Sequence, residues 1–573
     1  MIDQSRRSFL LSSCALALVA SPVYGHEKNI RVRIDAPDEP LVARAAAILK
    51  DRIEARCAVN VVESRRRADI VLDIDTALPR EAFRIDQVKR AVRISGGSAN
   101  GLIYGIGKFL RTSGYDGDTF AISTWRGVSE PQSAVRGMYF ASHFRNWYCQ
   151  ATDAEIARYM EDLALWGANA IMAVYPFISI EDWNDPKADP AMEMLLKYAK
   201  SARDLGIQFA TGLNNAFFTG VPEEIRAAKL PDPTHRRGNS GHPVCPSNPA
   251  GQAYLMENSR ILFEKLAAVG LDILVLWPYD EGGCACSQCA PWGSNGYYKL
   301  SKAQSALARQ YFPKLKTVLS TWMFDTPPEG EWQGLTDELK KENGWLDYIL
   351  ADAHNDFPRY PLDVCVPGDL PLLNFPEISM WGNWPWGGMG ANPLPGRFQR
   401  LWDQVKQTVR GGFPYSEGIY EDMNKAQVLQ YYWNAGTTAA DTLSEYARYE
   451  FGADAAVTAQ VMQLLELLER SASASYTKEA VDKAAVQAAL QLAESIHASR
   501  PDWVKQSWRW EILHLRAVLD NERYVGAGLE SAVAESAMLR LVEIYHCELV
   551  TDDPYHHRVR PKLKGAVTRT KEL

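Results

Sequence analysis

The sequence has no excess of positive charge. It carries 62 Lys and Arg residues against 70 Asp and Glu residues, which gives a net charge of −8 at pH 7. A protein that binds nucleic acid concentrates Lys and Arg on one face, because these side chains neutralise phosphates. The charge balance therefore predicts that nucleic acid is not a partner.

Long apolar runs are also scarce. Beyond the N-terminal 25 residues, no segment has the roughly 18 uninterrupted apolar residues that a membrane-spanning helix needs. We therefore expect no membrane span.

Cofactor fingerprints are missing as well. The stretch from Gly96 to Gly101 is rich in glycine, but it lacks the Gly-Lys-Ser/Thr ending of a phosphate-binding loop. No second histidine lies near His143 at the spacing of metal ligands. We expect that the protein requires no cofactor for its chemistry.

Aromatic residues, in contrast, are abundant, with 17 Trp and 25 Tyr. Such rings can stack on the flat apolar faces of ligands such as sugars, and they can equally fill the core of a large barrel. Composition alone leaves both uses open.

The N-terminus has the pattern of an export signal. Ser5-Arg6-Arg7-Ser8-Phe9-Leu10 precedes the apolar segment 11–20 and small residues near Gly25. It resembles bacterial twin-arginine signals. The resemblance implies a signal peptide over residues 1–25 and a periplasmic or secreted protein that is exported in the folded state.

Three regions follow the signal. Residues 28–130 alternate short strands with amphipathic helices, which predicts a small α/β domain. Residues 131–435 repeat a unit of apolar strand, polar loop and amphipathic helix, and residues 436–573 contain long alanine-rich amphipathic segments. The predicted fold class is therefore α/β: a (β/α)8 TIM barrel preceded by a small α/β domain and followed by an α-helical domain.

The pattern gives eight barrel strands. They are predicted at 134–141, 170–175, 208–213, 271–277, 316–322, 348–353, 370–375 and 412–416. The crossover at 354–369 contains three prolines and no helical pattern, so we expect a barrel helix to be missing there.

Polar and aromatic residues follow these strands, and in such barrels the residues after the strands meet at one mouth. The fourth strand ends in Asp280-Glu281, which makes Glu281 a candidate catalytic acid, and Glu417 follows the eighth strand. Carboxylates, amides and tryptophans at one mouth are typical of a pocket that cleaves sugars, where two carboxyl groups share the chemistry. The predicted substrate-binding residues are His143, Arg145, Trp147, Asn214, Asn215, Trp277, Tyr279, Trp322, His354, Trp381, Trp384 and Trp386.

The sequence Ser416-Glu417-Gly418-Ile419 resembles the Pro-Glu-Gly-Ile motif of the α-N-acetylglucosaminidase family, and residues 446–452 resemble a stretch early in that family's last domain. The resemblance implies a retaining glycoside hydrolase that cleaves an oligosaccharide or polysaccharide. It also implies that Glu417 is the nucleophile and that Glu281 is the general acid/base.

Other families share parts of the pattern. Residues 93–106 resemble the domain that precedes the barrel in β-hexosaminidases and α-glucuronidases. Asp280-Glu281 is the β-hexosaminidase arrangement, in which the aspartate orients the acetamido group of the substrate, whereas a uronic acid would need a cation such as Arg145. Endo-β-N-acetylglucosaminidase relatives also place C-x-C-x-x-C after the acid. The sugar, the linkage and the role of Asp280 are left open, as is a non-catalytic glycan-binding barrel.

Cys284, Cys286 and Cys289 lie close together after Glu281, with Cys245 and Cys149 as possible partners. They could bind a structural zinc, form a disulfide or stay as free thiols. A metal enzyme centred on these cysteines is a further hypothesis. In either bonded state we expect the cluster to hold the loop that carries Glu281.

Overall fold

The structure is a computed structural model that describes residues 29–142, 146–231, 242–326, 329–353, 356–379, 393–419, 422–477 and 479–546. Within these residues it contains an N-terminal α/β region, a parallel barrel and a group of C-terminal helices. No helix of the described part is long and apolar enough to cross a membrane.

The N-terminal region is a six-stranded sheet in the order β2-β1-β3-β5-β4-β8, in which β4 and β8 run antiparallel to their neighbours. The β6–β7 hairpin forms a separate small sheet. The elements are β1 (Asn29–Ile34), α1 (Pro40–Glu54), β2 (Asn60–Glu63), β3 (Ile70–Ile74), β4 (Phe83–Val88), β5 (Ala91–Gly96), α2 (Ala99–Arg111), β6 (Gly114–Asp116), β7 (Thr119–Ala121) and β8 (Gly127–Ser129).

The glycine pair after β5 allows a close approach of the backbone. A Cβ on Gly96 would lie 2.1 Å from the amide nitrogen of Leu102, and one on Gly97 would lie 2.0 Å from the carbonyl oxygen of Pro79. Neither position has room for a side chain, so glycine at both positions allows the strand to turn directly into α2.

The barrel is closed, since β9 pairs with β10 on one side and with β16 and β17 on the other. The predicted eight-stranded parallel barrel is thus confirmed within the described residues. Its elements are β9 (Val135–Phe140), α3 (Trp147–Gln150), α4 (Asp153–Leu165), β10 (Ala170–Ala173), α5 (Ala188–Arg203), β11 (Gln208–Leu213), α6 (Pro249–Leu266), β12 (Ile273–Leu276), α7 (Gly296–Tyr311), β13 (Lys316–Ser320), α8 (Glu331–Lys341), β14 (Tyr348–Ala353), α9 (Tyr360–Asp363), β15 (Leu372–Ser379), α10 (Pro395–Val405), β16 (Val409–Gly412), β17 (Tyr415–Ser416) and α11 (Asp422–Trp433).

Two parts of the barrel are irregular. The eighth strand is divided into β16 and β17 around Phe413 and Pro414, where the predicted single strand would have run on. The proline-rich crossover after β14 holds the single turn α9 and a short 3-10 turn at Pro367–Asp369, so a full barrel helix is absent from its described residues, as predicted.

The C-terminal helices are α12 (Ala439–Phe451), α13 (Ala455–Thr477), α14 (Lys483–Ser499), α15 (Asp502–Lys505), α16 (Trp508–Tyr524) and α17 (Ala532–Ile544). The sequence pattern predicts separate helices at 502–519 and 522–548, and this division is wrong, because α16 continues through residues 519–522. The helix ends instead before Gly526 and Gly528, and Gly528 has a φ of +92° that favours glycine.

Candidate active site

Five aromatic side chains form a continuous surface at the C-terminal ends of the barrel strands, and we call this surface the aromatic platform. Trp277 stacks on Trp322 at a centroid distance of 5.6 Å and lies 5.0 Å from Phe375. Tyr139 lies 5.7 Å from Phe375 and 5.6 Å from Tyr415. The platform brings together two predicted residues, Trp277 and Trp322, and adds three that the sequence analysis missed.

Strand register explains why these rings meet. Tyr415 is the register partner of both Tyr139 and Glu377, and Phe375 is the partner of Asp352. Register partners in neighbouring parallel strands point to the same face of the sheet. The carboxyl groups of Glu377 and Asp352 therefore point to the barrel interior together with the aromatic rings.

The charges of the three predicted catalytic carboxylates act on the Tyr139 phenol. Burial raises the pKa of Tyr139 well above its ordinary value, and the charges of Glu281, Asp280 and Glu417 raise it further. Because charge–charge interactions weaken with distance, an effect of all three charges on one hydroxyl group is consistent with a shared site. The residues that follow the fourth and eighth strands thus both affect the protonation of Tyr139.

Glu281 has the protonation behaviour of an acid catalyst. Burial, followed by the negative charge of Asp280, raises the pKa of Glu281 to about 8. Glu281 as a whole residue is half-buried at the end of the fourth strand. It therefore carries a proton at neutral pH and can donate it to a ligand.

Glu417 is held in a fixed orientation. Its side chain is 5% exposed, and its Oε1 accepts a hydrogen bond of 2.5 Å from the Tyr415 hydroxyl. Burial and the charge of Glu417 raise the pKa of Tyr415 well above its usual value, so this phenol stays a neutral donor.

The segment behind Glu417 is supported by a buried lysine. The Lys425 ammonium donates to the Tyr159 hydroxyl at 2.9 Å and to the carbonyl oxygen of Gly418. The Ser416 hydroxyl lies 2.6 Å from the Tyr148 hydroxyl. Lys425 was not predicted, because it stands in the mostly polar first turn of α11, where a lysine is ordinarily exposed.

The loop between β12 and α7, residues 277–295, carries Glu281, and we call it the acid loop. Asp280 adopts a φ of +76° and Gly283 a φ of +135°. A left-handed conformation costs a non-glycine residue on the order of 1 kcal/mol, although aspartate tolerates it better than most. The strained turn needs support from its surroundings.

Asn215 supplies much of this support. Its Nδ2 donates to the carbonyl oxygens of Val244 at 2.8 Å and Gly283 at 3.1 Å, and its Oδ1 accepts from the Gly283 amide at 2.8 Å. The side chain is fully buried. The prediction that Asn215 contacts substrate is therefore corrected, since its polar atoms are used to position the acid loop.

Two other predicted contacts also have structural roles. Tyr279 is buried and donates to the Glu331 carboxylate behind the acid loop. Trp147 is buried against Tyr159 at 5.4 Å and stacks on His546 of the C-terminal helices at 6.3 Å. Both rings are enclosed by protein, so they stabilise the surroundings of the site instead of lining it.

Asn214 is partly exposed beside the acid loop, and its Oδ1 accepts from the Ala216 amide at 2.8 Å. Its role in substrate binding stays a prediction. The remaining predicted substrate-binding residues lie outside the described residues, namely His143, Arg145, His354, Trp381, Trp384 and Trp386.

The cysteines after Glu281 form a cluster with Cys245. The sulfur atoms of Cys245, Cys284, Cys286 and Cys289 all lie within 4.8 Å of one another. A hydrogen bond from Cys284 lowers the pKa of Cys289 to about 5. Cys149 is not part of the cluster, and its thiol donates instead to the carbonyl oxygen of Ser142.

Comparisons with solved structures place this fold beside three glycoside hydrolases. A family 115 4-O-methyl-α-glucuronidase with specificity for decorated arabinogalactans has a TM-score of 0.60 and 11% identity, covering 90% of this chain and 76% of its own. A family 138 enzyme that targets pectin rhamnogalacturonan II has a TM-score of 0.56 and 11% identity, with coverages of 90% and 91%.

The third is a family 89 glycoside hydrolase from Clostridium perfringens, solved with its substrate GlcNAc-α-1,4-galactose. Its TM-score is 0.58 at 12% identity, covering 88% of this chain and 65% of its own. At such low identities the likeness shows a shared fold. No protein-family model and no curated protein matches the sequence.

Proposed function

We propose that this protein is a retaining glycoside hydrolase that acts on an amino-sugar or uronic-acid glycan. The observation that carries the proposal is Glu281, whose pKa burial and Asp280 raise to about 8, together with the buried carboxylate of Glu417. The charges of both raise the pKa of Tyr139, which belongs to the aromatic platform. The substrates named for the family 89 and family 115 structures support the two sugar classes.

The chemistry uses the two glutamates in sequence. Glu281 donates its proton to the glycosidic oxygen as the bond from that oxygen to the anomeric carbon breaks, while Glu417 attacks the anomeric carbon. The deprotonated Glu281 then takes a proton from water, which displaces Glu417 and releases the sugar. Two displacements return the anomeric carbon to its original configuration.

The aromatic platform would bind the apolar face of the sugar. The stacked indoles Trp277 and Trp322 offer a flat surface within the mouth, and Trp277 is partly exposed. Glu377 and Asp352 offer acceptors for sugar hydroxyl groups on the same inner face.

Substrate-assisted hydrolysis is the second candidate, and the position of Asp280 favours it. Asp280 precedes the acid and has an electrostatic effect on both Glu281 and Tyr139. In that mechanism the acetamido oxygen of the substrate attacks the anomeric carbon, and Asp280 orients the amide.

The two mechanisms differ in which carboxylate is essential. Aryl α- and β-glycosides of GlcNAc, GalNAc and glucuronic acid would first identify the sugar and anomer, and proton NMR of the first product would test retention. Glu417→Ala should lower kcat by about 10³-fold or more and regain turnover with azide as a glycosyl azide, whereas Asp280→Asn should have the smaller effect. The reverse ranking would favour substrate assistance, and glycan binding without turnover by the wild type would contradict both.

The periplasmic location is part of the proposal and rests on the twin-arginine pattern at Arg6 and Arg7. Arg6→Lys with Arg7→Lys should retain the protein in the cytoplasm. Unchanged periplasmic recovery of the double variant in cell fractionation would contradict twin-arginine export.

A further inference from the structure

We propose that Cys245, Cys284, Cys286 and Cys289 bind one structural zinc ion that joins the acid loop to the preceding barrel loop. Three of these cysteines lie in the acid loop, and Cys245 lies between β11 and α6, where the structure describes residues 214–231 and 242–248. The inference about the metal is independent of the proposed glycosidase activity, whereas its consequence for Glu281 rests on that activity.

The spacing of the sulfur atoms fits a tetrahedral metal site. Zinc binds cysteine sulfur at about 2.3 Å, so sulfurs at the corners of a tetrahedron lie about 3.8 Å apart. The sulfur of Cys245 lies 3.7 Å from that of Cys286 and 3.9 Å from that of Cys289. A disulfide would need a sulfur–sulfur distance of about 2.05 Å.

The surroundings are those of a closed structural site. Cys284 and Cys289 are fully buried and Cys245 is nearly so. The Ser247 hydroxyl lies 3.0 Å from the sulfur of Cys289, where it can support a thiolate ligand. Four cysteine ligands complete the coordination of zinc and leave no open position for substrate, which argues against a catalytic metal centre.

The metal would connect two loops that other contacts also join. The Ala285 amide donates to the carbonyl oxygen of Ala228 at 2.9 Å. Asn215 bonds both to Gly283 in the acid loop and to Val244, the residue before Cys245. Zinc would thus close a ring of contacts around the strained turn at Asp280. Its binding would release to solvent the protons of those cysteines that are thiols beforehand.

The first test measures metal content in the purified full-length mature protein. We expect about one zinc ion per chain by mass spectrometry of the metals. Cobalt substitution should give the visible and near-ultraviolet bands of tetrahedral thiolate coordination. Iron in place of zinc would overturn the choice of metal, and cysteines of the cluster found in disulfides by peptide mapping, without metal, would overturn the site.

The second test compares cysteine variants. Cys245→Ser should reduce bound zinc at least tenfold, whereas Cys365→Ser should retain it, because Cys365 is a partly buried cysteine outside the cluster. Equal zinc content in the two variants would overturn the assignment of Cys245. Should Cys245→Ser fail to fold, thiol blocking of the wild-type protein still tests the site, since it should release zinc and modify the four cluster cysteines together.

Loss of the metal should also affect the acid loop. Zinc-depleted protein that keeps its far-ultraviolet circular dichroism should unfold at a lower temperature and show a reduced kcat with a smaller change in KM. If the protein had no glycosidase activity at all, the zinc content and cobalt spectrum would still decide the metal site. The experiments therefore distinguish a failure of the zinc proposal from a failure of the glycosidase proposal.

Discussion

At the scale of single residues, the site depends on how its surroundings change the proton affinity of one carboxyl group. Glu281 and Asp280 are neighbours in sequence, but they have different roles. Burial and the Asp280 charge keep Glu281 protonated near neutral pH, while Asp280 occupies a left-handed backbone conformation at the turn. The adjacent charge thus prepares the acid for proton donation.

The raised pKa of Glu281 predicts that enzyme activity falls on the alkaline side of its pH profile. On a substrate with a poor leaving group, kcat/KM should fall as pH rises through about 8, because the deprotonated Glu281 has no proton to donate. Asp280→Asn removes a charge that raises this pKa, so this fall should move to lower pH by about one pH unit. The measurement is kcat/KM against pH for both proteins.

The exposed carboxylate Asp189 on α5 provides a control for the loss of one negative charge. Asp189→Asn should leave unchanged the pH at which kcat/KM falls. The same unchanged pH in Asp280→Asn would show that Asp280 does not determine the protonation of Glu281.

At the scale of elements, hydrogen bonds join the acid loop to the described residues between β11 and α6, namely 214–231 and 242–248. The two asparagines that follow β11, Asn214 and Asn215, have different surroundings. Asn215 is buried and bonds the backbone of both loops, whereas Asn214 is partly exposed beside Gly282. One side chain supports the loop, and the other is available to a ligand.

This division predicts opposite kinetic effects for two alanine variants. Asn215→Ala leaves three buried backbone groups without their partner, so we expect a loss of about 2 to 4 kcal/mol in unfolding free energy and at least a tenfold lower kcat. Asn214→Ala should mainly raise KM and change stability little. Denaturant unfolding and steady-state kinetics of both variants provide the comparison.

A raised KM as the main effect of Asn215→Ala, with unfolding free energy unchanged, would contradict the supporting role. It would restore the original expectation that Asn215 contacts the substrate.

At the scale of the whole molecule, a buried cluster of charges holds three parts of the chain together. Asp162 on barrel helix α4 accepts hydrogen bonds from Arg52 of α1 at 2.7 Å and from Arg509 of α16 at 2.9 Å. Arg509 also donates to Asp422 of α11 at 2.6 Å. These contacts fix the N-terminal region and the C-terminal helices to the same side of the barrel.

Removal of one partner should be costly, because it leaves buried carboxylates without their counterion. We expect Arg509→Met to lower the unfolding free energy by about 3 to 5 kcal/mol and to make the C-terminal helices more sensitive to protease. Arg540→Met removes an exposed arginine that pairs with Glu511, so its effect should stay within about 1 kcal/mol. Chemical unfolding and limited proteolysis would measure both effects.

The same cluster predicts the acid sensitivity of the fold. Burial alone would raise the pKa of Asp162, but the charges of Arg52 and Arg509 hold it below its ordinary value. Its stabilising contribution is therefore present above the unfolded-state pKa and is lost as pH falls through the folded-state value. Arg509→Met should weaken this acid-dependent loss, and an unchanged acid unfolding curve would contradict the assignment.

The sequence alone determined the barrel and the strand ends after which Glu281 and Glu417, the proposed catalytic residues, stand. Apolar runs of strand length, repeated with helical crossovers, sufficed to predict the closed barrel, because buried parallel strands are apolar on both faces. Glu281 and Glu417 were predictable because each follows a strand, and residues after parallel strands share one mouth. The three prolines likewise predicted the missing helix in the crossover after β14.

Only the tertiary structure decided which neighbours of these residues face the site. Tyr139, Phe375 and Tyr415 have the sequence pattern of core residues, and the register of the closed barrel makes them one platform. Asn214 and Asn215 differ by one position, and the path of the chain exposes the first and buries the second. Cys245 is far from Cys284 in sequence, so no spacing rule joins them, and the packing of two loops brings their sulfurs together.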